Sequence, residues 1–190
     1  EFRRVLFRSI TKKEKRLLRR QGLYEEQPKG LNIKRFIPLT SNQKRVFDAY
    51  YDGKNMMLHG TAGTGKTFLS LYLSLQEVLE SDIYQKVIVV RSVVPTRDMG
   101  FLPGNQKEKV KVYEAPYYSI CTELFGRGDA YDILKQKQKI EFISTSFIRG
   151  VTLSDCIVVV DEVQNLTAAE CNTIITRVGS NCKIIFSGDI

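Results

Sequence analysis

The sequence predicts an α/β fold built on a parallel sheet, and three observations carry that expectation. KVIVVR at Lys86 to Arg91 and CIVVV at Cys156 to Val160 are apolar at consecutive positions, not at alternate ones. Stretches with helical spacing separate such runs, and a glycine-rich turn, GTAGTGKT at Gly60 to Thr67, joins a short apolar run to a leucine-spaced one. Strands apolar on both faces are covered by helices on both faces, and alternation with helices makes the sheet parallel. With 190 residues, 43% of them apolar, the chain suits one domain with a substantial core.

The elements follow in order. Residues 1–9, EFRRVLFRS, contain RRVLFRS, which is similar to the conceptual translation of a sequencing adapter, so this segment is set apart as non-native. Residues 10–35 form a basic arm with nine Lys or Arg against three Glu, whereas residues 36–190, the expected catalytic domain, balance 17 against 17. The net charge of +8 therefore belongs to the amino-terminal segment, where KKEKRLLRR reads as a solvated arm or as a nucleic-acid contact. Thr40, Ser41 and Asn42 cap a short helix over Gln43 to Tyr50 that ends before Gly53. A strand at Met56 to Leu58 feeds the glycine-rich turn, and Phe68 to Glu80 continues as a helix. Ile140 to Ile143 and Lys183 to Phe186 add strands, and Thr167 to Arg177 a helix; the stretch between Arg91 and Ile140, rich in Tyr and Lys, reads as an irregular insert.

The turn carries the first chemistry. GTAGTGKT matches GxxxxGK(S/T), in which glycines let the backbone wrap so that successive N–H groups at a helix start point at phosphate oxygens. Gly60, Thr61, Ala62, Gly63, Thr64 and Gly65 supply the cradle, Lys66 reaches the β and γ phosphates, and the Thr67 hydroxyl ligates Mg²⁺. A glycine-rich turn that binds nothing is the plain alternative, and the strand and helix on either side argue against it. Asp161 and Glu162 follow CIVVV directly, at the carboxyl end of a central strand, where open α/β sheets hold ligands. The pair fits a Walker B arrangement, with Asp161 holding Mg²⁺ through water and Glu162 activating the attacking water. A small-molecule kinase has no need of the second carboxylate, and no acceptor-binding lid is recognisable.

DEVQN at 161–165 is similar to motif II of superfamily 1 helicases and of the PhoH-like ATPases, DEAQN, with Val163 as a departure. RSVVPTRDMGFLPG at 91–104, VYEAPYY at 112–118, STSFIRG at 144–150, TRVG at 176–179 and SGD at 187–189 resemble the PhoH-like family, its phage-encoded branch most closely. With LTSNQKRVFDAY at 39–50, the resemblance runs almost unbroken over 39–190.

The resemblance implies a RecA-like P-loop NTPase core that hydrolyses ATP with Mg²⁺ in the cytoplasm of a bacterial cell or phage-infected host. RNA or another single-stranded nucleic acid is the implied partner and a homo-oligomer the implied assembly; a nucleotide-dependent switch that never translocates is the competing reading. It implies that Gln43 hydrogen-bonds adenine, against the alternative of a capping or surface glutamine, and that Gln164 and Asp189 sense the γ phosphate. Arg91, Arg97, Arg149 and Arg177 fall inside family-like motifs; each is a candidate phosphate contact, and each is equally suited to a structural ion pair. Tyr113, Tyr117 and Tyr118 can stack bases or pack inside the insert. Family members continue past the aspartate of SGD with a further strand and helix, so a C-terminally truncated domain is expected. Elsewhere, Cys121, Cys156, Cys171 and Cys182 form no CxxC pair and His59 is the single histidine, which speaks for free thiols and against structural zinc. No apolar run approaches the roughly 18 residues of a membrane span, so no membrane partner is expected.

Overall fold

Five strands form the parallel sheet that the apolar runs predict. A computed structural model describes residues 8, 9, 11, 13, 17, 31–93 and 106–189. The strands are β1 (Met56–Gly60), β2 (Lys86–Arg91), β3 (Ile140–Ser144), β4 (Cys156–Asp161) and β5 (Cys182–Asp189), in the spatial order β1-β5-β4-β2-β3. Every neighbouring pair is parallel. A separate two-residue antiparallel pairing joins Arg8–Ser9 to Phe36–Ile37.

The helices are α1 (Ser41–Tyr51), α2 (Lys66–Glu80), α3 (Gln106–Phe125), α4 (Ala130–Gln136) and α5 (Ala168–Ile175). They cover both faces because the strands are apolar on both. Val87, Val89, Ile157, Val159 and Ile185 face a layer containing α2, α3 and α4, while Ile88, Val90, Val158 and Val160 face Ile174 of α5. All six residues of β4 are buried, which fixes it at the centre. Each such aliphatic side chain contributes about 1.5–3 kcal/mol on burial, so the apolar runs decide the layering.

Two capping boxes start helices at the same end of the sheet. The Thr40 hydroxyl accepts the Gln43 N–H at 3.2 Å, and Gln43 Oε1 accepts the N–H groups of Leu39 at 2.7 Å and Thr40 at 3.3 Å. Thr167 and Glu170 form the second box at the start of α5. Opposite, toward the strand amino ends, Lys183 of β5 is buried. Its ammonium donates to the Tyr50 carbonyl and the Glu77 carboxylate, both at 3.2 Å, and lies 3.8 Å from the Tyr50 ring centre, tying α1 and α2 to the sheet.

The insert departs from expectation. Its described part is mostly helical, running as α3 and α4. Tyr117, Ile120, Cys121 and Leu124 are wholly buried at the spacing of one helical face, and burying that stripe outweighs Pro116 within the helix. Residues 94–105, with Arg97 and the FLPG turn, lie outside the described residues. Cys156 and Cys182 are register partners on β4 and β5, with free sulfurs 3.6 Å apart. Among the described residues no helix is long and apolar enough to cross a membrane.

Candidate nucleotide-binding site

β1 ends at Gly60, and the loop turns into α2 through Gly63 (φ 76°) and Gly65 (φ 82°), both in the left-handed region that an L side chain rarely adopts. Gly65 is the helix N-cap and no side chain caps the first turn, so the leading N–H groups of a 15-residue helix are left for an anion. Thr61, Ala62, Gly63 and Thr64 are exposed. Lys66 folds back over this loop, its ammonium donating to the carbonyls of Gly60 at 3.0 Å and Thr61 at 2.8 Å and to the Thr64 hydroxyl at 3.3 Å. It also pairs with Asp189 at 2.7 Å, because β5 lies beside β1 with Gly60 and Asp189 in register.

Asp161 closes β4 and is 2% exposed. Its Oδ1 accepts the Thr67 hydroxyl at 2.8 Å, and its Oδ2 accepts the Tyr117 hydroxyl at 2.9 Å. Burial, and then the Asp161 carboxylate, push the Tyr117 hydroxyl's pKa upward, so it stays a donor. Arg91 is the register partner of Asp161 on β2. Burial opposes its charge, but Tyr117, Asp161 and Glu162 outweigh that and raise its pKa.

Glu162 adopts φ 55° and ψ 48°, which ends the strand. Its carboxylate accepts a hydrogen bond from Gln164 Nε2 at 2.5 Å and lies 3.8 Å from the Arg91 guanidinium. Gln164 Oε1 in turn accepts the Asp189 N–H at 2.9 Å. The Gln164 amide thus joins the end of β4 to the end of β5. Gly188 makes room for it: a Cβ there would come within 3.0 Å of Gln164 Oε1 and 3.3 Å of the Val163 Cβ.

Thr67 and Asp161 present a hydroxyl and a carboxylate side by side. Hard oxygen donors few in number suit Mg²⁺, which keeps waters and takes its other ligands from phosphates. Among the described residues no cluster of three His, Cys, Asp or Glu offers a complete protein cage.

Other candidate residues fall elsewhere. α1 runs beside α2, with Phe47 against Tyr72 and Tyr51 against Gln76; one turn back on each helix, Gln43 is level with Phe68, near the loop. Its Oε1 caps α1, accepting the N–H groups of Leu39 and Thr40. Arg149 is exposed beyond β3, with the width of the sheet between it and the loop on β1. Arg177 is a correction. Its carbonyl accepts the Leu153 N–H at 2.8 Å beside the start of β4, at the end of the sheet opposite Lys66. Tyr117 packs inside the insert, the alternative to base stacking, since it is completely buried. The Tyr118 ring lies 4.4 Å from the Tyr131 ring, centre to centre, and its hydroxyl donates to Asp132 at 2.5 Å; Tyr113 is half-buried. The link from Tyr117 to Asp161 escaped sequence reasoning because 44 residues separate the partners; its one signal was the helical spacing of Tyr117, Ile120, Cys121 and Leu124.

The chain is 39% identical over 136 residues to Protein PhoH2 of Bacillus subtilis, covering 70% of this chain and 31% of that one. It is 33% identical over 172 residues to a PhoH-like protein of the same organism, covering 90% and 53%. With a PhoH-like protein of Synechocystis it shares 36% over 131 residues, covering 69% and 40%. The chain thus spans between about a third and about a half of these relatives' length. Among solved structures, a Sulfolobus solfataricus SWI2/SNF2 ATPase core in complex with dsDNA shares the fold, with a TM-score of 0.50 and 14% identity over 86% of this chain and 34% of that one. A family model described as PhoH-like protein matches residues 35–190, and the chain belongs to that family.

Proposed function

We propose that the chain binds ATP with Mg²⁺ at the Gly60–Thr67 loop and hydrolyses it, coupling hydrolysis to work on RNA or another single-stranded nucleic acid. One observation carries the ATPase reading: Lys66, Thr67, Asp161, Glu162 and Asp189, from two adjacent strands, β4 and β5, and from α2, meet at the carboxyl end of the sheet. The loop N–H groups and Lys66 hold the phosphates, and Thr67 with Asp161 holds the metal. Bound Mg²⁺ neutralises charge that develops on the phosphate oxygens. Glu162 takes the proton of the attacking water. Gln164 sets the direction of the Glu162 carboxylate and, through the Asp189 N–H, ties it to the strand end that meets Lys66.

Nucleic-acid coupling is supported by Phe147, 60% exposed, and by exposed Arg149, which follow β3 at the same end of the sheet. An aromatic face and a guanidinium suit a single strand's bases and phosphates. Phosphate release with and without single-stranded RNA tests both parts. Lys66→Ala is expected to lower turnover by at least about 10², and RNA to raise wild-type turnover. Turnover unmoved at every RNA concentration would favour the switch reading over translocation.

A further inference from the structure

Asp161 is buried, and a carboxylate's terminal torsion is soft and nearly twofold. A buried Asp therefore keeps one orientation only where donors fix its oxygens. Two hydroxyls do so here, Thr67 on Oδ1 and Tyr117 on Oδ2. They differ in place: the Thr67 hydroxyl donates its hydrogen to Oδ1 and leaves its oxygen lone pairs for a metal, whereas the Tyr117 bond lies on the other side of the carboxylate. Tyr117 is itself held rigidly, wholly buried, with its ring 5.9 Å from that of Phe142 and with Ile120, Cys121 and Leu124 extending its buried stripe along α3.

We propose that Tyr117 is a positioning residue for Asp161, its hydroxyl holding the carboxylate so that Oδ1 faces Thr67 and the Mg²⁺ bound with the nucleotide. The proposal rests on the reading of Asp161 as the Mg²⁺-holding acid. Tyr117 is placed to act through Asp161, and its hydroxyl also meets the Arg91 guanidinium. The segment between β2 and β3 thereby becomes part of the metal site, although it reads from sequence as an insert.

A merely structural role for the hydroxyl would weaken the fold without regard to Mg²⁺. Tyr117→Phe keeps the ring and removes the donor. Titration with a fluorescent N-methylanthraniloyl ATP, in Mg²⁺ and in EDTA, separates the two roles. In Mg²⁺ the variant is expected to bind about tenfold more weakly, the scale of one hydrogen bond to a charged group, with affinity in EDTA unchanged. The Mg²⁺ concentration that half-saturates hydrolysis rises by a similar factor. In an Asp161→Asn background, Tyr117→Phe adds no further Mg²⁺-dependent loss. Equal losses in Mg²⁺ and EDTA, no loss in Mg²⁺, or an additive loss in the Asp161→Asn background would each overturn the proposal. Lys66→Ala binding the probe as well as wild type would instead overturn the phosphate-loop reading, and this proposal with it.

Discussion

Lys66 and Asp189 form a 2.7 Å ion pair that bridges the phosphate-binding loop to the end of the neighbouring strand. A phosphate entering the loop therefore competes with this carboxylate for Lys66, the loop's one cation. The side chains are 12% and 36% exposed, so water screens the pair in part. Asp189→Asn is expected to tighten ADP binding about two- to fivefold and to slow ATP turnover, because the carboxylate proposed to sense the γ phosphate is gone. Looser ADP binding, measured by fluorescence titration, would contradict this account of the resting loop.

Glu162 holds no loop group, so its removal separates chemistry from binding. Glu162→Gln should keep nucleotide affinity within a few-fold while turnover falls by at least about 10², the scale of a lost general base. Single-turnover phosphate release checks it; a rate near wild type removes Glu162 from the reaction.

Gly188 tests the Gln164 bridge without touching a titratable group. Gly188→Ala drives a methyl against Gln164 Oε1 and Val163, and the amide must leave either Glu162 or Asp189. Turnover is expected to drop about tenfold, the scale of one charged-group hydrogen bond. In a Gln164→Ala background the same change should cost much less turnover, since the displaced partner is gone. Additive losses would show that Gly188 matters for another reason.

Lys183 predicts stability. It is a buried cation whose carboxylate partner, Glu77, is 19% exposed. Lys183→Met keeps the methylenes and leaves the Glu77 carboxylate with the Tyr50 hydroxyl and without its cation, an expected loss of about 2–3 kcal/mol, below the range for a fully buried pair because Glu77 reaches water. Thermal melting should show a Tm lower by about 5–10 °C. Adding Glu77→Leu should restore part of it, since two apolar groups need no partner.

Acid should act through Glu170. Hydrogen bonds from the Thr145 hydroxyl at 2.6 Å and from the Thr167 N–H hold its carboxyl below the usual glutamate range. A carboxyl depressed in the folded state contributes stability that is complete above about pH 4.3, the unfolded value, and is lost as pH falls through the folded one. Glu170→Gln should therefore be less stable than wild type at pH 7, with the gap narrowing at a pH below the unfolded value of about 4.3. Denaturant unfolding at both pH values measures it, and a gap that widens in acid would reverse the assignment.

The sheet was legible because consecutive apolar residues such as Cys156 to Val160 have one comfortable place, a strand covered on both faces. The phosphate loop and the acidic pair were legible because their chemistry needs fixed residue types at fixed spacing over a few residues. α3 was not: Pro116 and valines at 110 and 112 argue locally against a helix, and only burial against the sheet overrides them. Gln43 shows the other limit. A glutamine three residues after a threonine fits both a cap and a purine contact, and the cap forms from the chain alone. The arginines were ambiguous because a guanidinium suits many anions, and position in the sheet, which places Arg177 at the far end, is a long-range property.

The left-handed backbone at Glu162 sets the interests of the fold against those of the reaction. A non-glycine residue there costs about 1–2 kcal/mol, which a glycine would recover. Against that cost the fold gains only the Gln164 hydrogen bond and the approach of the Arg91 guanidinium. Selection for thermal robustness alone would drift position 162 toward glycine, and the carboxylate persists there only while something depends on it. Stabilised versions of this chain chosen by melting temperature would thus be drawn toward losing activity at the residue the chemistry can least spare.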